Sequence, residues 1–420
     1  MSRPRLQTHL ATERRGSASA RGGTRLEGRR RKPPTTFRAL GNPHFRLMWP
    51  SSLLFYVSRW MQLTLLGWMV LERTNSALLV ALVGFALMSP LLVFGLAGGV
   101  VADSPNRLVV NRLLHSINLA ATIALTTALS LDVASAWTAY PVALATGTAW
   151  AFDQPFKRRA VRDMLGVAGV TNGIALESVA MTASRLLGPA LGGLLIATVG
   201  VRAGYPVVVG LSAAALALIS VAKVPPPSGV GRAAHGSRRM LTMLDGLRHV
   251  LSNRLLLGTV SVTFAVNLLI FPYMQVILVI ARDVIEVESG LGLLLAAEGL
   301  GSLVAALVIA TFYSRTGRLG LLYVFGSTLA AVGLLLLSFQ TGYLGALLSL
   351  LLMGVGLAGF STMQAAIVVV NTGDEVRGKA LGVVTLAIGA GPLGAALVGA
   401  LASYLGPQVA LRIDAVAALA

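Results

Sequence analysis

The chain has 420 residues, of which 55% are hydrophobic and 12% charged, with a net charge of +18 and no cysteine. Soluble domains average about 25% charged residues, so this composition excludes an ordinary soluble enzyme. The lack of cysteine excludes disulfides, thiolate metal sites and thiol nucleophiles. Because a membrane-spanning helix needs about 20 apolar residues, we expect an integral membrane protein with about a dozen spans.

Residues 1–36 are polar and rich in Arg, Gly, Ser and Thr. This composition predicts a disordered basic tail, and no apolar segment within it indicates a cleaved signal peptide. Such a tail can be attracted to anionic lipid. The alternatives are a signal that retains the N-terminus in the cytoplasm and an over-long start of the chain.

Eleven apolar stretches follow the tail. They are 46–71, 78–102, 108–130, 136–153, 170–199, 204–222, 255–281, 289–313, 319–339, 342–370 and 377–405. The remaining residues, 408–420, are too few to cross about 30 Å of hydrocarbon, so we expect a truncated twelfth helix or a fragment. The predicted domains are the tail 1–36, an N-terminal six-helix half 37–222, a cytoplasmic linker 223–254 and a C-terminal six-helix half 255–420.

The basic residues are distributed unequally between the two sides of the predicted bundle. With a cytoplasmic N-terminus, about 28 of the 34 Lys and Arg fall on the cytoplasmic side, the bias expected when loop charge sets orientation. We therefore expect a multi-pass protein of the cell membrane with its N-terminus in the cytoplasm. The same bias explains the net charge, so we expect no nucleic acid partner.

The two halves resemble each other at an offset of about half the chain. Gly188-Pro189 in the fifth span matches Gly391-Pro392 in the eleventh, and Asn42 before the first span matches Asn253 before the seventh. Two six-span halves joined by a polar loop are typical of transporters built from repeats around a central site.

Four groups of motifs lie in a fixed order on the predicted spans and loops. They are 37–49 with 59–72, 98–103 with Arg107, 149–155 with 172–189, and 374–379. In this order they resemble the major facilitator superfamily, in particular the exporter branch that includes enterobactin-type and macrolide-type efflux proteins. The resemblance implies an all-α major facilitator fold of two six-helix halves. It also implies a secondary transporter that exports a small amphipathic molecule, drug-like or siderophore-like, against proton entry.

The resemblance further implies a conformational latch after the second span. Asp103 would accept hydrogen bonds from the start of the eleventh span near Arg377, with Arg107 as the matching base. The second-half copy, 314–318, has no acid, so we expect the latch in the first half alone. A solvated loop charge is the alternative.

The fifth span contains a glycine motif that resembles one associated with antiporters. It consists of Gly188, Pro189, Gly192 and Gly193. Glycines four residues apart allow close helix packing in lipid, and proline bends the helix. A bent, tightly packed helix could prevent leak while the halves move, although ordinary helix packing would use the same residues.

Four charged residues lie within the predicted spans: Arg59, Glu177, Arg185 and Glu298. Each costs about 2.5–3.5 kcal/mol at mid-bilayer, so such a residue normally faces a cavity or a partner. We expect Arg185 to pair with Glu298 in one state of the transporter, and Glu177 or Glu298 to carry the proton. A static salt bridge is the alternative.

The first span also contains candidates for a substrate cavity. Trp60, Gln62 and Trp68 on the first span are candidates to line a substrate cavity, with packing as the alternative. No metal-ligand spacing and no phosphate-binding loop occurs, so we expect no metal, no cofactor and no use of ATP. No clustered nucleophile and base occurs either, so we expect no catalytic residues.

The expected partners are a small-molecule substrate, protons and the lipid bilayer, and we expect a monomer. An importer or uniporter of the same fold is one alternative, because fold does not fix direction. A non-transporting membrane receptor or scaffold is another, although charges within the spans argue against it.

Overall fold

The computed structural model describes residues 38–102, 107–223, 248, 250–287, 290–309, 319–372 and 374–420. The tail 1–36, residues 224–247 of the linker, Asp103 and the second-half copy 314–318 lie outside the described residues. Within the described ranges the regular structure is helical, without a strand. The predicted domain boundaries stay predictions.

The first half contains six long helices. They are α1 (Phe45–Thr74), α2 (Ala77–Ala102), α3 (Arg107–Ser130), and then α4 (139–165), α5 (167–199) and α6 (201–221) within the helical stretch Ala139–Val221. Gly166 and Gly200 separate the last three, with φ of 65° and 74° and ψ of −177° and 172°. L side chains rarely adopt this conformation, so glycine permits a change of direction without a loop.

The second half adds α7 to α12 and includes two interrupted helices. Its members are α7 (254–283, formed by Arg254–Ala265, the π-helix Val266–Ile270 and Tyr273–Asp283), α8 (Leu291–Val308), α9 (Leu319–Leu337), α10 (Tyr343–Asn371), α11 (374–405, formed by Asp374–Ile388 and Gly391–Leu405) and α12 (Pro407–Leu419). Helix α12 has 13 residues.

Contacts between helix ends define two faces of the bundle. At one face the start of α1 lies beside the start of α5, since Trp49 Nε1 donates to the Leu176 carbonyl over 2.7 Å. At the other, Arg202 of α6 donates to Asp132 after α3 over 2.7 Å. We call these the Phe45 face and the Thr74 face, after the two ends of α1.

The starts of the two halves are built alike. Asn42 Oδ1 accepts from the backbone amides of His44 and Phe45 at 3.0 and 3.1 Å. Asn253 Oδ1 accepts from those of Leu255 and Leu256 at 3.0 and 3.3 Å. Each asparagine therefore satisfies amides that the first turn of a helix leaves unpaired.

The halves pack through small residues, and the packing continues to the Thr74 face. A Cβ on Gly193 of α5 would lie 2.7 Å from Gly292 Cα of α8, and one on Gly399 of α11 would lie 2.3 Å from Ala81 Cβ of α2. At the Thr74 end, the Leu78 amide donates to Ser403 Oγ over 2.9 Å. Such close backbone approach is the usual way that helices associate in lipid.

Eight stretches among the described residues are long and apolar enough to cross a bilayer. The helix that contains the expected fourth span, 136–153, is longer than that span, because α4 continues to residue 165. Asp153 and Asp163 do not end the helix, since both are buried against basic partners. The bundle therefore buries two acids, Asp153 and Asp163, that the sequence did not single out.

Candidate functional site

A cavity of about 630 Å³ lies between the two halves, from mid-bundle toward the Phe45 face. We call it the large cavity. Its walls come from α4, α5, α7, α8, α10 and α11, and include Arg158, Thr182, Arg185, Phe271, Glu298, Ser302, Phe360 and Gln364. The close contacts described between the halves at Gly193 and Leu78 lie on the opposite side of mid-bundle, toward the Thr74 face.

A smaller cavity of about 160 Å³ adjoins the large cavity at the middle of the bundle. It is lined by residues that include Arg59, Trp60, Met88, Trp150, Arg185, Phe271 and Gln275. Met181, Arg185, Asn267, Phe271 and Ile388 line both cavities, so the two are contiguous. We call the smaller one the inner cavity.

Arg185 and Glu298 form an ion pair that connects the halves at mid-depth. Arg185 Nη2 of α5 lies 3.3 Å from Glu298 Oε1 of α8, and Glu298 is 3% exposed. The guanidinium also lies 5.0 Å from the centre of the Phe271 ring. Pro189 cannot donate to the Arg185 carbonyl, because proline has no amide hydrogen. The ion pair therefore lies beside a locally weakened turn of α5.

Arg59 lies at the middle of α1 with 2% exposure. Its guanidinium carbon is 4.0 Å from the Trp150 ring centre and 4.8 Å from that of Trp60. Nη2 contacts Met88 Sδ at 3.2 Å, while Nε has no hydrogen-bond partner. Among the described residues no carboxylate lies within 4.0 Å of this guanidinium, unlike that of Arg185.

The other acid among the four predicted intramembrane charges, Glu177, lies on α5 outside both cavity linings. Its Oε1 accepts from Ser52 Oγ of α1 over 2.9 Å, and its Oε2 has no hydrogen-bond partner. The structure therefore brings together Arg59, Arg185 and Glu298, but places Glu177 at a separate contact within the first half.

Sequence reasoning missed a buried charge cluster in the first half. Asp153 is fully buried; its Oδ2 lies 2.8 Å from Lys157 Nζ, and its Oδ1 lies 3.1 Å from both His115 Nε2 and Asn111 Nδ2. The Lys157 ammonium lies 4.6 Å from the Tyr56 ring centre. The i, i+4 spacing of Asp153 and Lys157 was the available signal, but the span was ended too early.

Part of the expected latch region can be described. Arg107 at the start of α3 lies 2.6 Å from Asp163 Oδ2 of α4, and both side chains are 2% exposed. Asp103 lies outside the described residues, and nothing is described of the Arg377 side chain. Asp163 is a further acid at this position that the sequence reasoning did not include.

The glycine motif of α5 lies against two helices. A Cβ on Gly188 would be 2.4 Å from Trp60 Cβ, and one on Gly192 would be 3.0 Å from Thr64 Cβ, both on α1. Gly193 faces α8 of the other half. The motif therefore holds α5 against α1 and against the second half at once.

The three candidates for the cavity wall on α1 have different positions. Trp60 lines the inner cavity. Gln62 and Trp68 line neither of the two described cavities, so their place in a substrate cavity stays a prediction. Gln62 Oε1 accepts from Thr146 Oγ1 over 2.7 Å, and Trp68 Nε1 donates to Glu72 Oε1 over 2.6 Å. Both side chains satisfy their polar groups within the first half.

The described residues contain no group of three or more His, Cys, Asp or Glu side chains that could hold a metal ion. The site is instead an apolar, aromatic space with three arginines and one glutamate in its walls. Such a space can bind a small molecule with an apolar body, and its position between two halves allows the walls to change partners when the halves move.

Solved structures share this architecture. The chain superposes on the nucleoside transporter NupG with a TM-score of 0.69 at 16% identity, covering 90% of this chain and 96% of that one. It superposes on a mutant of the peptide transporter POT with a TM-score of 0.70 at 12% identity, covering 90% and 92%. The fold is therefore that of the major facilitator superfamily, as the sequence motifs predicted.

Two transporters are similar to this chain in sequence. The chain is 23% identical to the staphyloferrin A transporter of Staphylococcus aureus over 85% of its length and 89% of that protein. It is 26% identical to the multidrug efflux pump Tap of Mycolicibacterium fortuitum, over 81% and 84%. The molecule is a multi-pass major facilitator transporter and not an enzyme. Residues 34–420 match the model of the transmembrane secretion effector family, and the chain belongs to that family.

Proposed function

We propose that this protein is a proton-coupled exporter of a small amphipathic molecule that works by alternating access. The observation that carries the proposal is the pair of contiguous cavities between the halves, which contains the Arg185–Glu298 ion pair. The relatives named above, a siderophore transporter and a multidrug pump, support a drug-like or siderophore-like substrate.

The proposed orientation places the Phe45 face in the cytoplasm. The charge bias supports it, because Arg112, Lys157, Arg158, Arg159 and Arg162 all lie in the Phe45-face half of α3 and α4. In this orientation the large cavity lies on the cytoplasmic side and the tight contacts lie outside. This is the arrangement in which an exporter collects its cargo.

The proposed proton carrier is Glu298. While it is ionised, its ion pair with Arg185 connects α5 to α8. Protonation would remove the charge and weaken this connection, so the halves could rock and exchange the cargo for a proton. Glu177 is the second candidate, because its Oε2 is buried without a partner. The proposed latch at Asp103, Arg107 and Arg377 would close the Phe45 face.

The direct test is accumulation of a panel of drugs and siderophores in cells with and without the protein. We expect lower accumulation of at least one compound, and loss of that effect when the proton gradient is collapsed. Export that persists without the gradient would contradict proton coupling. Higher accumulation in cells with the protein would favour the importer.

Coupling is tested in proteoliposomes with Glu298→Gln, and with Glu286→Gln as the control because Glu286 is exposed near the Thr74 face. We expect Glu298→Gln to abolish transport driven by a proton gradient while cargo exchange without a gradient continues. If Glu298→Gln retains gradient-driven transport at the level of Glu286→Gln, Glu298 is not the carrier.

A further inference from the structure

The inner cavity has an unusual charge balance. Its lining contains two guanidinium groups, those of Arg59 and Arg185, and no carboxylate. In both arginines Nε is buried without a hydrogen-bond partner. Taken together, the linings of the two cavities contain Arg59, Arg158 and Arg185 against Glu298 alone. The described walls therefore carry an excess of positive charge.

Of the two inner arginines, Arg59 is the one left without an acid. Arg185 has Glu298 at 3.3 Å, whereas the described contacts of the Arg59 guanidinium are two indole rings and a thioether. Cation–π contacts offset only part of the cost of burying a charge. A buried guanidinium in a cavity wall, with its Nε unpartnered and no acid within 4.0 Å among the described residues, therefore favours an anion in that cavity.

The remaining walls indicate what the anion is attached to. Trp60 and Trp150 both lie against the Arg59 guanidinium, and Phe271 lies where the two cavities meet. Flat aromatic faces of this kind bind aromatic or apolar ring systems. The large cavity provides the room for such a body next to the charged position.

We propose that the cargo is an organic anion: an aromatic or apolar body with a carboxylate or similar acid group that binds Arg59 in the inner cavity. This names the substrate class of the site and rests on the proposed transport function. The acid group pairs with the Arg59 guanidinium, and the apolar body extends toward Phe271 and the large cavity. Cations and neutral molecules of the same shape leave Arg59 unpaired and bind more weakly.

The test compares two fluorescent probes of similar shape on purified full-length protein in lipid nanodiscs. Dansylglycine carries a carboxylate and dansylamide is neutral. Excitation of tryptophan and emission from the dansyl group reports binding near Trp60 and Trp150. We expect dansylglycine to bind at least 10-fold more tightly, and Arg59→Met to weaken its binding about 10- to 100-fold without changing that of dansylamide.

Arg202→Met is the matched control, because Arg202 is exposed at the Thr74 face and lines neither cavity. It should retain the preference for dansylglycine. If Arg59→Met does not give monodisperse protein, the same binding measurement is made on Arg59→Lys. It keeps the charge but not the planar fork, and a smaller loss of dansylglycine binding is expected.

Equal or stronger binding of dansylamide by the unmodified protein overturns the inference, as does a preference that survives unchanged in both Arg59 variants. These outcomes are separable from failure of the proposed function. A protein that prefers dansylglycine but exports nothing from cells keeps the anion site and loses the export proposal. A protein that exports compounds but shows no preference for dansylglycine keeps the export proposal and loses the anion site.

Discussion

A close backbone contact between the halves, that of Gly193 with Gly292, can be used to shift the conformation of the transporter. Gly193→Ala would place a Cβ 2.7 Å from both Gly292 Cα and Gly292 N, and neither backbone atom can rotate away. Real Cβ atoms essentially never lie under 3.0 Å from another heavy atom, so α5 and α8 must separate. We expect this substitution to destabilise the state that is closed at the Thr74 face.

The size of the effect follows from the cost of overpacking, which is about 1–3 kcal/mol. Because α5 and α8 belong to different halves, we expect the cost to fall on the closed state and not on the fold of either half. A cost of this size changes the ratio of closed to open states roughly 5- to 150-fold.

The absence of native cysteine allows the shift to be measured by labelling a single introduced thiol. Leu278 is 3% exposed and lies against Gly67 of the other half, so Leu278→Cys reports opening at the Thr74 face. We expect Gly193→Ala to speed its reaction with a membrane-impermeant thiol reagent. Gly210→Ala is the control, because its Cβ would meet nothing within 4 Å. Equal labelling rates in both variants would refute the reasoning.

Two further predictions concern stability in detergent. Asp153→Asn should lower the free energy of unfolding by about 3–5 kcal/mol, because it leaves the buried Lys157 ammonium without its carboxylate. The control Asp132→Asn breaks an exposed ion pair and should lower the free energy of unfolding by about 1 kcal/mol or less. Equal melting temperatures of the two variants would contradict this difference. Gly166→Ala should cost about 1–3 kcal/mol because φ there is 65°. Gly258→Ala, at an open helical position, should be neutral or stabilising, and the reverse order would contradict the assigned role of Gly166.

The sequence predicted most of the helices, because runs of apolar residues of membrane-spanning length leave little choice of structure. One difference, that α4 is longer than the predicted span, has a specific cause. Lys157, Arg158 and Arg159 resemble a loop when they are read in order, but Lys157 is neutralised by Asp153 one turn earlier. Whether a charge belongs to a loop or to a buried pair depends on which neighbours the fold supplies.

The sequence predicted the charged residues of the candidate site but not the direction of every side chain. Arg59, Arg185 and Glu298 could be selected because an ion in the middle of an apolar span is costly. Depth along a helix follows from residue number, but the direction of a side chain depends on packing. For this reason the sequence does not show that Gln62 and Trp68, which share α1 with Trp60, have Thr146 and Glu72 as hydrogen-bond partners.

The most direct test of alternating access is a pair of distances between the halves, measured by electron paramagnetic resonance on spin-labelled cysteines. One pair, at Ser178 and Ser361, spans the large cavity toward the Phe45 face; the other, at Glu72 and Asp283, spans the Thr74 face. Between pH 8 and pH 5 the two distance distributions should change in opposite directions, with the first pair moving together as the second moves apart. Two distances that stay constant, or that lengthen together, would contradict the account.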